Sequence, residues 1–163
     1  MNSAAQSFDS IYLKFSPKIY RVCMGYVNDV AQAQDLTQET FVAVWQHLDK
    51  FRDESAIGTW IFRIATNLCL RTVARDKRML PASMPENLPV AEDVPDDGRV
   101  KLLHKAIAEL EGLDRILISL VLEGLPQPEI AEISGLTEVN VRVRTHRIRE
   151  KLATKIKAYE RGR

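Results

Sequence analysis

Cysteine and histidine are scarce in this chain, and long apolar runs are missing. The only cysteines among its 163 residues are Cys23 and Cys69. Two are too few for a disulfide framework or a zinc site, and each falls inside a helical pattern where a thiol serves as apolar filler. His47, His104 and His146 lie in separate helical segments. No glycine-rich phosphate loop and no metal-ligand spacing occurs, so the chain offers an enzyme almost nothing. No catalytic or metal-ligating residue is assigned, and no cofactor is expected. No stretch approaches the roughly 18 uncharged apolar residues of a spanning helix, and the opening MNSAAQSFDSIY lacks a basic start followed by an apolar run. The expectation is a cytoplasmic protein with no membrane insertion of its own.

The formal net charge is only +1, but the charges are segregated along the chain. Residues 138–163 hold nine Lys/Arg against Glu138, Glu150 and Glu160, a net of 9 − 3 = +6. Residues 79–98, MLPASMPENLPVAEDVPDDG, hold no base, five acids and four of the seven prolines. Such a stretch neither forms a helix nor buries apolar surface, so it reads as a flexible acidic linker. The expected fold class is therefore all-α: two small helical domains, 1–78 and 99–163, joined by the linker 79–98.

In the first domain, Ser16-Pro17 reads as a cap followed by a proline in a first turn, and Asn28-Asp29 as a second break. From Val30, the apolar residues Ala33, Leu36, Phe41, Val44 and Leu48 recur at helical steps, opposite Asp35, Gln38, Glu39 and Gln46. A further helix starting at Ser55 puts Ile57, Trp60, Ile61, Ile64 and Leu68 on one side, and its far end is basic: Arg71, Arg75, Lys77, Arg78.

After the linker come two amphipathic segments, VKLLHKAIAEL and DRILISLVLEGL, with breaks at Gly112 and Gly124. They are followed by a short helix, PEIAEIS, the turn GLT, and an arginine-rich helix started by Thr137. Ala131, Gly135 and Val141 have the spacing of a helix-turn-helix. Val141, Thr145, Ile148 and Leu152 form the inward stripe, which leaves Arg142, Arg144, His146, Arg147 and Lys151 pointing outward. A cationic second helix in a helix-turn-helix suits the major groove of duplex DNA.

The stretches DLTQETFVAVWQHLDKFRDESAIGTWIFRIATNLCLR and EIAEISGLTEVNVRVRTHRIREKL, in this order and separated by a linker, resemble the extracytoplasmic-function (ECF) group of bacterial sigma factors in the sigma-70 family. The resemblance covers nearly the whole chain. It implies an N-terminal bundle like sigma region 2, a C-terminal domain like sigma region 4, and three partners: core RNA polymerase, promoter DNA and an anti-sigma factor. By position it implies polymerase docking through Asp35, Leu36, Gln38, Glu39 and Phe41. A mixed patch of acceptors, an amide and an exposed aromatic suits such docking; a solvated acidic face with Phe41 in the core is the alternative.

For the minus-10 element the resemblance implies a pocket for an unstacked base from Phe51, Arg52, Asp53, Glu54 and Ser55, with Trp60 as a wedge or as a core residue. Unstacking a base costs a few kcal/mol, so a protein without ATP chemistry needs such a compensating pocket. Asn67 is implied to read a base edge, and Arg63, Arg71 and Arg75 to meet phosphates. For the minus-35 element the implied residues are Thr137, Arg142, Val143, Arg144, His146 and Arg147, with Arg144 shared between phosphates and helix-surface pairs. The acidic linker reads either as a strand threading a basic polymerase channel or as a plain tether.

Some residues depart from the family pattern. Pro126 and Pro128 replace a hydroxyl cap at the first helix of the helix-turn-helix, removing donors that could hold a phosphate. Val143 replaces a small polar residue, and Thr145 an apolar one. Without polymerase docking, the same residues would describe a stand-alone helix-turn-helix regulator with an N-terminal sensing or dimerising domain.

Overall fold

The computed structural model describes residues 3–51, 56–79 and 98–162, with side chains described for 7–51, 56–72 and 98–162. Among these residues the secondary structure is helical: α1 (Ser3–Val27), α2 (Val30–His47) with a short 3-10 turn at Leu48–Lys50, α3 (Ile57–Met79), α4 (Arg99–Ala108), α5 (Gly112–Leu122), α6 (Gln127–Ser134) and α7 (Glu138–Arg161). Most of the expected linker lies outside the described residues; its first position, Met79, ends α3.

Helix α1 buries Ile11, Phe15, Ile19, Val22, Cys23 and Tyr26, a stripe at three- and four-residue steps that winds along one side. The sequence expectation of a helix start at Ser16-Pro17 is corrected: Pro17 lies inside α1. Proline there leaves the Leu13 carbonyl without its helical donor, but Pro17 is exposed and Leu13 is 75% exposed, so water can satisfy that carbonyl. Asn28, at φ 51°, turns the chain, and the carboxylate of Asp29 accepts from the Gln32 amide at 2.9 Å, capping α2. Thr37 and Thr40 are buried on α2, yet each hydroxyl donates to the carbonyl four residues back at 2.7 Å. No polar group is stranded by their burial.

Helix α3 closes the first bundle by burying Ile61, Phe62, Ala65 and Cys69 against α1 and α2. In the second bundle, the middle of α5 (Ile116, Leu117, Ile118, Ser119, Leu120) is buried on all sides, because α1, α4, α6 and α7 surround it. The expected break at Gly112 falls slightly earlier: Gly112 is the first residue of α5. At the other end, Lys155 and the Tyr159 hydroxyl both donate to the Glu109 carboxylate at 2.6 Å, and Lys105 sits 4.5 Å above the Tyr159 ring. These contacts bind α4 to the end of α7.

The two bundles also touch each other. Helix α1 packs on α5 and α3 packs on α6, so the hydrophobic core runs without interruption from Ile11 to Leu152.

Candidate nucleic-acid interface and docking face

Helices α6 and α7 form the helix-turn-helix. Gly135 ends α6 in the left-handed conformation at φ 77°, its amide donating to the Ala131 carbonyl at 2.9 Å, a geometry glycine adopts without steric cost. The Thr137 hydroxyl then accepts from the Asn140 amide at 3.1 Å, so Thr137 starts the second helix as expected. Val141, Thr145, Ile148 and Leu152 are buried and fix which face looks out. The Thr145 hydroxyl donates back to the carbonyls of Val141 and Arg142, which lets a polar residue occupy an apolar position.

On the outward face Arg142, Val143, His146 and Arg147 are exposed. His146 lies 3.2 Å from Glu150 one turn on. Arg144 is different: its Nη2 and Nε donate to Oδ1 of Asp114 at 2.9 and 3.3 Å. It belongs to the α5–α7 junction, the helix-pair role rather than the phosphate role. An open cleft of about 500 Å³ runs along this junction, lined by Asp114, Asn140, Val143, Arg144, Arg147 and Lys151 among others. Asn140 was missed by sequence reasoning; an exposed amide in the first turn of a recognition helix was the available signal.

On α2, Asp35, Gln38 and Glu39 are exposed together. Two of the sequence-assigned docking residues are corrected: Leu36 is 4% and Phe41 3% exposed, so both are core. Phe41 is held edge-on by Phe8 and Tyr12, with ring centroids 6.4 and 5.0 Å away. The aromatic on this outer face is instead Trp45, beside Val42, each 55% exposed. Both follow Gln38 at helical steps of four and seven, a spacing that could have identified them.

In the third region, Phe51 stacks on Trp60 with centroids 5.0 Å apart and planes tilted by 30°. Trp60 is only partly buried, a position between the wedge and core readings. Asn67 and Arg71 are exposed on α3, whereas Arg63 donates to the Glu132 carbonyl of α6 at 3.0 Å. Arg52, Asp53, Glu54 and Ser55 lie outside the described residues, as does the side chain of Arg75. Among the described residues no group of acidic, histidine or cysteine side chains could hold a metal ion, and no helix is long and apolar enough to cross a membrane.

Comparison with known proteins agrees with this layout. The family model for Sigma-70 region 2 matches residues 11–79, and that for Sigma-70, region 4 matches residues 101–152. The RNA polymerase sigma-H factor of Pseudomonas aeruginosa is 31% identical, with 89% of this chain and 83% of that protein aligned. The ECF RNA polymerase sigma factor SigW of Bacillus subtilis is 30% identical, with 93% and 89% aligned. Among solved structures, the sigma factor RpoE in complex with the anti-sigma factor NepR from Bartonella quintana matches with a TM-score of 0.79 at 21% identity, over 93% of this chain and 98% of that one. CnrH in complex with the cytosolic domain of CnrY matches with a TM-score of 0.70 at 23% identity, over 94% and 90%. At these identities the two structures speak for the fold.

Proposed function

Since the chain belongs to the ECF group of the sigma-70 family of RNA polymerase sigma factors, we propose that it is an alternative sigma factor. It binds core RNA polymerase, directs it to promoters bearing minus-35 and minus-10 elements, and helps to open the DNA. The observation that carries this reading is the presence of two distinct outward faces on one chain. One is an acidic and aromatic face on α2: Asp35, Gln38, Glu39, Val42 and Trp45. The other is a cationic recognition helix, α7, held by a capped helix-turn-helix. A stand-alone regulator would need the second face and not the first.

The proposed division of labour follows the chain. Residues 1–78 dock on polymerase and engage the minus-10 element through Phe51, Arg52, Asp53, Glu54, Ser55, Trp60, Asn67, Arg71 and Arg75, with Arg63 available once it is released from α6. Residues 79–98 join the domains. Residues 99–163 read the minus-35 element through Thr137, Arg142, Val143, His146 and Arg147. Arginine's planar fork fits the guanine edge, a pairing worth about 1–3 kcal/mol of discrimination. The protein works in the cytoplasm, where polymerase and DNA are, and has no catalytic role of its own. The RpoE relative was solved in complex with the anti-sigma factor NepR, from which we take an anti-sigma factor as a further partner.

Transcription reconstituted from purified core polymerase and this protein on fragmented genomic DNA tests the reading. Transcripts starting at discrete sites only when the protein is added are expected; identical transcripts with and without it would overturn the reading.

A further inference from the structure

The outward face of α7 carries two residues that its charge does not explain. Val139 and Val143 are 59% and 42% exposed, one turn apart at the start of an otherwise polar and cationic helix surface. At about 100° per residue, both project within about 30° of the direction opposite the buried stripe of Val141, Thr145, Ile148 and Leu152. Single exposed apolar residues are ordinary on protein surfaces. Two aligned on the leading ridge of a recognition helix need another reason: no core lies on that side, and valine is a poorer helix former than alanine or the long polar side chains.

The surroundings define what can cover this pair. Arg142 lies on one flank, Asn140 and Arg147 on the other, all exposed, so the occupant is anionic around an apolar spot. About two turns beyond Val143 the same ridge carries Glu150, 3.2 Å from His146. That acid repels phosphates and confines a polyanion to the first turns of α7, where helix-turn-helix proteins present their base-reading residues. In the major groove the one apolar group on a base edge is the thymine methyl; guanine, adenine and cytosine show donors and acceptors.

We infer that Val139 and Val143 read thymine, each packing against the C5 methyl group of one thymine in the minus-35 element. This deepens the sigma-factor reading and rests on it. Four residues advance about 6 Å along a helix axis, and base pairs of B-DNA are about 3.4 Å apart, so the two thymines fall within two or three consecutive base pairs. The pair selects by fit and by rejection. Cytosine in place of thymine sets its N4 donor against an apolar side chain and leaves it without a partner. A small polar residue at position 143, the family pattern from which this chain departs, can satisfy that donor and tolerates either base.

Deoxyuridine tests this directly, because it differs from thymidine by that methyl alone. Holoenzyme assembled from core polymerase and the full chain is titrated, by fluorescence anisotropy, with promoter fragments in which each minus-35 thymine on either strand is replaced in turn. Two nearby thymines should stand out, each replacement weakening wild-type binding about fourfold, the worth of one buried methyl-sized group. Val143→Ser should bind the thymine and deoxyuridine fragments equally at one of these positions, and Val139→Ser at the other, with helix content unchanged by circular dichroism. Val143→Thr, which keeps a methyl group, should retain the discrimination. An element without thymine, uniform affinity for all the deoxyuridine fragments, or discrimination that survives both serine variants would overturn the inference. A scrambled minus-35 element separates this from failure of the underlying reading. Methyl-blind binding that scrambling abolishes removes the valine assignment alone, whereas binding indifferent to scrambling removes minus-35 reading with it.

Discussion

Arg144 of the recognition helix is tied to Asp114 of α5 through two donated hydrogen bonds to a single carboxylate oxygen. Its neighbour Arg147, one turn along the same helix, is exposed. Two arginines that look equivalent in the sequence therefore do different work. Arg144→Ala should lower the stability of the C-terminal domain by about 1–3 kcal/mol, because it strands a largely buried carboxylate, and should leave minus-35 affinity of the folded protein nearly unchanged. Arg147→Ala should do the reverse: stability within about 0.5 kcal/mol of wild type, and promoter affinity down by about 1–3 kcal/mol. Thermal unfolding together with holoenzyme binding to promoters with intact and scrambled minus-35 elements separates the two.

The docking face yields a similar contrast between an outer and an inner aromatic. Trp45→Ala should weaken binding to core polymerase at least tenfold, about 1.4 kcal/mol, while the protein stays folded. Asp35 and Gln38 substituted together by Ala should also weaken it. Phe41→Ala should cost about 3–5 kcal/mol of stability as a core cavity, and any loss of polymerase binding should track the unfolded fraction. Competition binding and circular dichroism on the same samples check this; full-affinity binding by Trp45→Ala would remove the assigned face.

Cys23 and Cys69 are both fully buried, and the Cys69 thiol donates to the Cys23 sulfur at 3.8 Å. That hydrogen bond, together with burial, pushes the Cys69 thiol well above its ordinary range, and the same bond lowers that of Cys23. Enclosure outweighs the lowered value at Cys23, since a thiolate reacts only where a reagent can reach it. A chromogenic disulfide reagent at pH 8 should therefore titrate no thiol in the native protein and two after denaturation. Rapid reaction of either thiol in the folded state would contradict the packing.

In the proposed reading the Phe51–Trp60 pair takes part in DNA opening. Trp60→Ala should reduce permanganate reactivity of unpaired thymines at the minus-10 element by an order of magnitude, with polymerase binding within twofold of wild type. Trp60→Phe, which keeps an aromatic surface, should recover most of the reactivity. Equal opening by wild type and Trp60→Ala would assign Trp60 to the core alone.

Much of this was legible in the sequence because one physical signal repeats. The stripes from Ala33 to Val44 and from Val141 to Leu152 are each set by burial at helical steps, and Asp29 and Thr137 mark helix starts through hydroxyl or carboxylate caps. Three features were not legible. Pro17 reads as a helix start, yet solvent on its side lets the helix run through it. Phe41 falls on the inward Ala33–Val44 stripe, yet the resemblance marks it for docking, and only its burial against Tyr12 and Phe8 decides between the two. Arg144 and the contacts between the two bundles depend on partners 30 to 102 positions away in the chain, beyond the range of any local pattern.

The central claim, that the α2 face makes this chain a polymerase subunit, is tested most directly by co-elution of the purified protein with bacterial core RNA polymerase on a sizing column, without DNA and in moderate salt. Stoichiometric co-elution, lost with Trp45→Ala, is the predicted result. Separate elution of the two, with the protein folded and the polymerase active, would contradict the account.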